Sequence, residues 1–114
     1  MAQIYDRRDF LYRVNDDEEL ERELLDIFLV QAPGQIAALH EALDHQDGKQ
    51  LQSQAHSLKG AAASISALAL QEVAYRLEQA GQAGDFQQAR PLMTRLITEF
   101  DALRQVLHGH LTGQ

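Results

Sequence analysis

The chain has 114 residues, which allows one domain with one hydrophobic core and leaves little room for a second. Hydrophobic residues make up 45% of it, prolines number only two and cysteine is absent, which excludes a disordered chain, a disulfide framework and a thiolate metal site. The formal charge of −7, with ten Lys and Arg residues scattered along the chain, argues against nucleic acid and leaves protein as the natural partner.

No apolar run approaches the roughly 18 residues of a membrane span, so no direct membrane contact is expected, and a cysteine-free chain suits a reducing cytoplasm. Ala, Leu and Gln dominate, which favours helix throughout. A short apolar segment, Phe10, Leu11 and Val14, comes first. Asn15-Asp16-Asp17-Glu18-Glu19 then supplies an N-cap and first-turn acids, so a helix begins there, carrying Leu20, Leu24, Ile27 and Phe28 on its apolar face. Ala32-Pro33-Gly34 should interrupt it, with Pro33 in the first turn of a second helix that holds Ile36, Leu39 and Leu43 and finishes near His45. Asp47 caps the next helix with Gln50, and Leu51, Ala55, Leu58, Ala62 and Ile65, at spacings of four, three, four and three, form its buried stripe. This helix should end near Ser64. Leu70, Val73, Ala74 and Leu77 mark another, closed by Gly81 and Gly84. Asp85 with Gln88 caps the last, whose stripe is Leu92, Leu96, Phe100, Leu103 and Leu107. Pro91 within it should give a kink or delay its start to Arg90. Short connections favour antiparallel neighbours, hence an all-α, up-down bundle in a single domain over residues 1–114, with its core at about 5–107. The tail Leu111-Thr112-Gly113-Gln114 is expected to fray.

On the helix bearing Ala55 and Leu58, His56 lies roughly 130° from the centre of the buried stripe and faces outward. Gln52, Lys59, Gly60 and Ala63 share its flank, so one cation and two nearly bare positions border the ring. A histidine that must enter an acidic pocket needs a clear approach. Gly60 provides one, and a glycine in mid-helix otherwise costs about 0.5–1 kcal/mol relative to Ala. Lys59 can pair with a phosphoryl group on the imidazole. An ordinary exposed histidine is the commoner state of the type, but the Lys59-Gly60 context favours function. His108 and His110 stand two apart, which helical geometry separates, and they have no clear third ligand, so no metal site is expected. His40 and His45 read as surface residues near a helix end.

The string Ala55-His56-Ser57-Leu58-Lys59-Gly60 resembles the AH-x-LKG signature of histidine phosphotransfer (HPt) domains, and the similarity extends from about Tyr5 to Leu107. The chain is most similar to the C-terminal HPt module of hybrid sensor histidine kinases. That resemblance implies a four-helix bundle with an additional short N-terminal helix and a phosphorylatable histidine exposed midway along one helix. His56, Lys59 and Gly60 fall on the matching positions. Some members place a glutamine on the following helix near the histidine, where this chain has Glu78. Such a carboxylate could orient the neutral ring or bind Lys59, and would repel a phosphoryl group if too close. Ser66 stands where the family commonly has Gly: either its backbone takes positive φ at a cost of about 1 kcal/mol, or Ser66 caps the next helix. The resemblance also brings the segment of Phe10, Leu11 and Val14 near the His56 face. One of the three must anchor it, and the most exposed should contribute to docking.

The implied role is a phosphorelay intermediate that exchanges a phosphoryl group between His56 and aspartates of receiver domains, in response regulators or in a hybrid sensor kinase. The chain has no glycine-rich phosphate loop, so it is read as a carrier without ATP-dependent kinase activity. No cofactor is expected in it, Mg²⁺ belonging to the receiver. The attacking nitrogen, the distal one in this family, must be deprotonated, so transfer should weaken on acidification. Two other readings are a chemotaxis-kinase HPt domain, whose further histidine is missing from Tyr75-Arg76-Leu77, and a helical adaptor or scaffold that is never phosphorylated. A cytoplasmic location fits either a free protein or a module tethered at the end of a membrane sensor.

Overall fold

A computed structural model describes residues 2–112. They form five helices: α1 (Arg7–Arg13), α2 (Glu18–Asp44), α3 (Gly48–Ser64), α4 (Leu68–Ala83) and α5 (Phe86–Leu111). No strand occurs among the described residues. Helix α3 packs on α2 and α4, and α5 closes the ring against α4 and α2, giving an antiparallel up-down four-helix bundle with α1 added at one end. The caps arise as the short polar side chains dictate: Asp17, Asp47 and Asp85 accept from the backbone N–H of Leu20, Gln50 and Gln88 at 3.0, 3.1 and 3.1 Å. Gly84, at φ +68°, ends α4 in the left-handed conformation.

Pro33 does not divide the second element. Helix α2 runs unbroken for 27 residues, about 40 Å of helix, because Leu25, Phe28, Ala32, Leu39 and Leu43 stay buried in one phase across the proline. Continuous burial of that stripe outweighs the single backbone hydrogen bond that an exposed proline removes. Pro91 is likewise inside α5, and the start is not delayed, since Asp85 caps at Phe86. Two stripe assignments also shift. Leu20 and Ile27 face solvent while Glu21 and Leu25 are buried, and on α5 Ala89 and Met93 take core positions while Leu92 is half-buried. Gly113 and Gln114 of the tail lie outside the described residues, whereas Leu111 is still helical.

Helices α3 and α4 have 17 and 16 residues, so they are too short to cover α2 and α5 along their whole length. The N-terminal segment fills the difference over the α3–α4 turn. Asp6 N–H donates to Ser66 O at 2.9 Å, and Ala69 N–H donates to Gln3 O at 2.8 Å. Phe10 is the buried anchor, and Leu11 and Val14 are half-buried. Ser66 itself has φ +60° and does not cap α4, so the strained alternative holds. Its buried hydroxyl donates to Asp9 at 2.6 Å and accepts from Arg13, which offsets part of the backbone strain by tying α1 down.

At the same end Glu21 is fully buried. Its carboxylate accepts from Tyr5 Oη at 2.7 Å and from Arg7 Nε at 2.9 Å, and lies 3.1 Å from His110 Nε2. Burial pushes this carboxyl up, but the hydrogen bonds from Arg7, Tyr5 and His110 outweigh it and hold the group below the usual range. Burial first, and then the Glu21 carboxylate, push the Tyr5 phenol up.

Candidate functional site

His56 stands at the middle of α3, nine residues before the turn residue Ile65, and Glu78 lies eleven residues after Ala67 on α4, so the antiparallel hairpin brings the two opposite one another. The ring is 66% exposed, and its Nδ1 is 2.8 Å from Glu78 Oε2. An ionised carboxylate only accepts, so Nδ1 carries the hydrogen, and in the neutral form of the ring the lone pair lies on Nε2. Glu78 is therefore a direct partner of the ring. Its other oxygen, Oε1, is 2.7 Å from Lys59 Nζ, an ion pair rather than an aligned hydrogen bond. The Lys59 ammonium holds the Glu78 carboxyl below the usual carboxylate range; partial burial works against this and the His56 contact adds to it.

Of the other residues expected here, Gly60 is exposed, and a Cβ built on it would meet nothing within 4 Å, so the helix surface beside the ring is open. Gln52 forms no hydrogen bond with the ring. Its importance lies in its backbone: a Cβ at Gly81 would come within 2.6 Å of Gln52 N and 3.0 Å of Gly48 O. Gly81 is thus not a stop signal but the point where α4 crosses α3, one turn from the His56–Glu78 pair. Ala63 is half-buried two turns from His56, and its carbonyl accepts from Arg13 of α1 at 2.9 Å. No cluster of three His, Asp or Glu side chains suited to a metal ion occurs among the described residues. No helix among them is long and apolar enough to cross a membrane.

A family model for the Hpt domain matches residues 23–106 of this sequence, a span that contains the whole α3–α4 hairpin. The chain belongs to the Hpt domain family. As an Hpt domain it serves as a histidine phosphotransfer element of a two-component phosphorelay, a phosphocarrier. Its structure is similar to histidine-containing phosphotransfer protein B (HptB) of Pseudomonas aeruginosa PAO1, with a TM-score of 0.91 and 26% identity, covering 100% of this chain and 99% of the other. It also resembles the HPT domain of a sensor hybrid histidine kinase from Shewanella, with a TM-score of 0.83 and 20% identity over 97% and 96% of the two chains, a likeness of fold. Comparison with curated protein sequences finds no match.

Two features of this Hpt domain escape the sequence reading. Glu21 sits four residues before Leu25 in the phase of the α2 stripe, and an acid at a core position was the available signal. Lys59 Nζ lies 5.3 Å from the centroid of the Tyr75 ring, a contact between helices that no spacing within one helix reveals.

Proposed function

We propose that His56 is the phosphorylated residue of this Hpt domain, that Nε2 is the reacting atom, and that the donors and acceptors are receiver-domain aspartates of response regulators or a hybrid sensor kinase. The observation that carries this reading is the exposed ring with Nδ1 held by Glu78, which leaves Nε2 as the nitrogen without a protein hydrogen-bond partner among the described residues. In the forward step the Nε2 lone pair attacks phosphorus in line. The N–P bond forms as the P–O bond to the aspartate breaks, and that electron pair leaves with the carboxylate. The hydrogen on Nδ1 stays in place, and the positive charge the ring gains is met by Glu78. Lys59 stabilises the phosphoryl oxygens, Gly60 and Ala63 leave room for the approach, and the receiver supplies Mg²⁺. The outward strip of α3 includes His56, Ser57, Gly60 and Ser64, and at its Ser64 end exposed Ile27 of α2 lines the same shallow groove, an apolar shoulder for a small, transient interface.

The other histidines lack this arrangement. His40, His45 and His108 are exposed with no carboxylate on the ring, and His110 is half-buried against Glu21. Incubation with a phosphorylated receiver should place acid-labile phosphate on the wild-type chain and none on His56→Gln. Normal labelling of that variant would end the proposal.

A further inference from the structure

Lys59 has two partners on α4, and they leave it in different states. Glu78 Oε1 lies 2.7 Å from its Nζ, and the ring of Tyr75, one turn earlier on α4, presents its face at 5.3 Å. Tyr75 remains 47% exposed, so packing alone gives little reason for an aromatic residue there. Its hydroxyl accepts from Gln79 Nε2 at 3.1 Å, which limits rotation of the side chain. A carboxylate neutralises the ammonium it binds, and a phosphoryl group on His56 must compete with that carboxylate for the same cation. An aromatic face attracts the cation through its quadrupole and leaves the full positive charge available to a second anion.

We propose that Tyr75 is a positioning residue for phosphoryl transfer, its ring face keeping Lys59 on the α4 flank of His56 while the ammonium turns from Glu78 to the phosphoryl oxygens. The inference rests on the reading of His56 as acceptor and Lys59 as its cation. No proton moves on Lys59 in this step. The bond made is Nε2–P and the bond broken is the aspartyl P–O bond, as above.

The test is the single-turnover transfer rate from a saturating phosphorylated receiver, read together with the receiver's Kd. Tyr75→Leu removes the π face at similar bulk and should slow transfer about 2- to 5-fold, the strength of an exposed cation–π contact, with Kd unchanged. Tyr75→Phe keeps the face and should keep the wild-type rate. In a Lys59→Ala background, Tyr75→Leu should add no further loss. An equal loss in that background, a Tyr75→Phe variant as slow as Tyr75→Leu, or an effect confined to Kd would each overturn the proposal. His56→Gln is the separate control: if it still accepts phosphate the underlying reading fails, whereas a blocked His56→Gln beside a fully active Tyr75→Leu defeats only the role of Tyr75.

Discussion

Adding one methyl group at Gly81 and one at Gly60 should move stability in opposite directions. At Gly60 the new Cβ meets nothing within 4 Å, so only helix propensity changes, and Gly60→Ala should gain about 1 kcal/mol. At Gly81 the same gain is opposed by a Cβ only 2.6 Å from Gln52 N and 3.0 Å from Gly48 O. Both atoms are backbone, so relief requires α3 and α4 to separate by the better part of an ångström. Overpacking of this kind costs about 1–3 kcal/mol, and with backbone on the far side the upper part of that range applies, giving a net loss of about 2 kcal/mol. For a chain of this size each kcal/mol shifts Tm by about 4 °C, so Gly81→Ala should melt roughly 8 °C below the wild type and Gly60→Ala roughly 4 °C above it. Because the crossing lies one turn from His56 and Glu78, Gly81→Ala should also loosen their 2.8 Å contact. Thermal melts followed by circular dichroism, with imidazole ¹⁵N shifts for the ring, measure both effects. A Gly81→Ala protein as stable as the wild type, or a Gly60→Ala protein less stable, would refute the assignment of Gly81 to packing and Gly60 to access.

Gly60→Gln should raise the Kd for a receiver and slow transfer while the melting point holds; a sharp drop in Tm with normal transfer by the folded protein would instead make Gly60 a packing residue. Glu78→Gln still offers an oxygen to Nδ1 and should preserve the ring tautomer, whereas Glu78→Leu should let both tautomers populate, a difference that ¹⁵N shifts of His56 report directly. The Glu21 carboxyl is held below its ordinary 4.5 in the folded chain, so its contribution is fully present above that pH and is lost as pH falls through the folded value. Glu21→Gln should accordingly be less stable than the wild type at neutral pH, with a smaller further loss on going to about pH 3.5. Parallel acid-unfolding curves for the two proteins would count against the buried network.

The α-helical class, the caps at Asp47 and Asp85, a helix start within Asn15–Glu19, the end of α3 near Ser64 and the outward direction of His56 were all legible in the sequence, because each depends on residues within one turn or on a period of 3.6; that Asp17 is the capping residue of that acidic run is seen only in the structure. At Pro33 the local signal for a break was overruled by the structure, and at Pro91 the sequence left a kink and a delayed start both open. The outcome turned on apolar area buried against neighbouring helices, which kept one phase through each proline. The site divides along the same line. That His56, Lys59 and Gly60 share a helix flank follows from their spacing alone. That Glu78 reaches both His56 and Lys59, that Tyr75 lies under the same cation, that Gly81 marks a helix crossing and that Ser66 accepts strain to hold α1 are decided only when α3 and α4 pack at a particular register. Local spacing fixes directions around a helix axis, but a contact between two helices depends on their relative shift, which the side chains of the whole bundle set together.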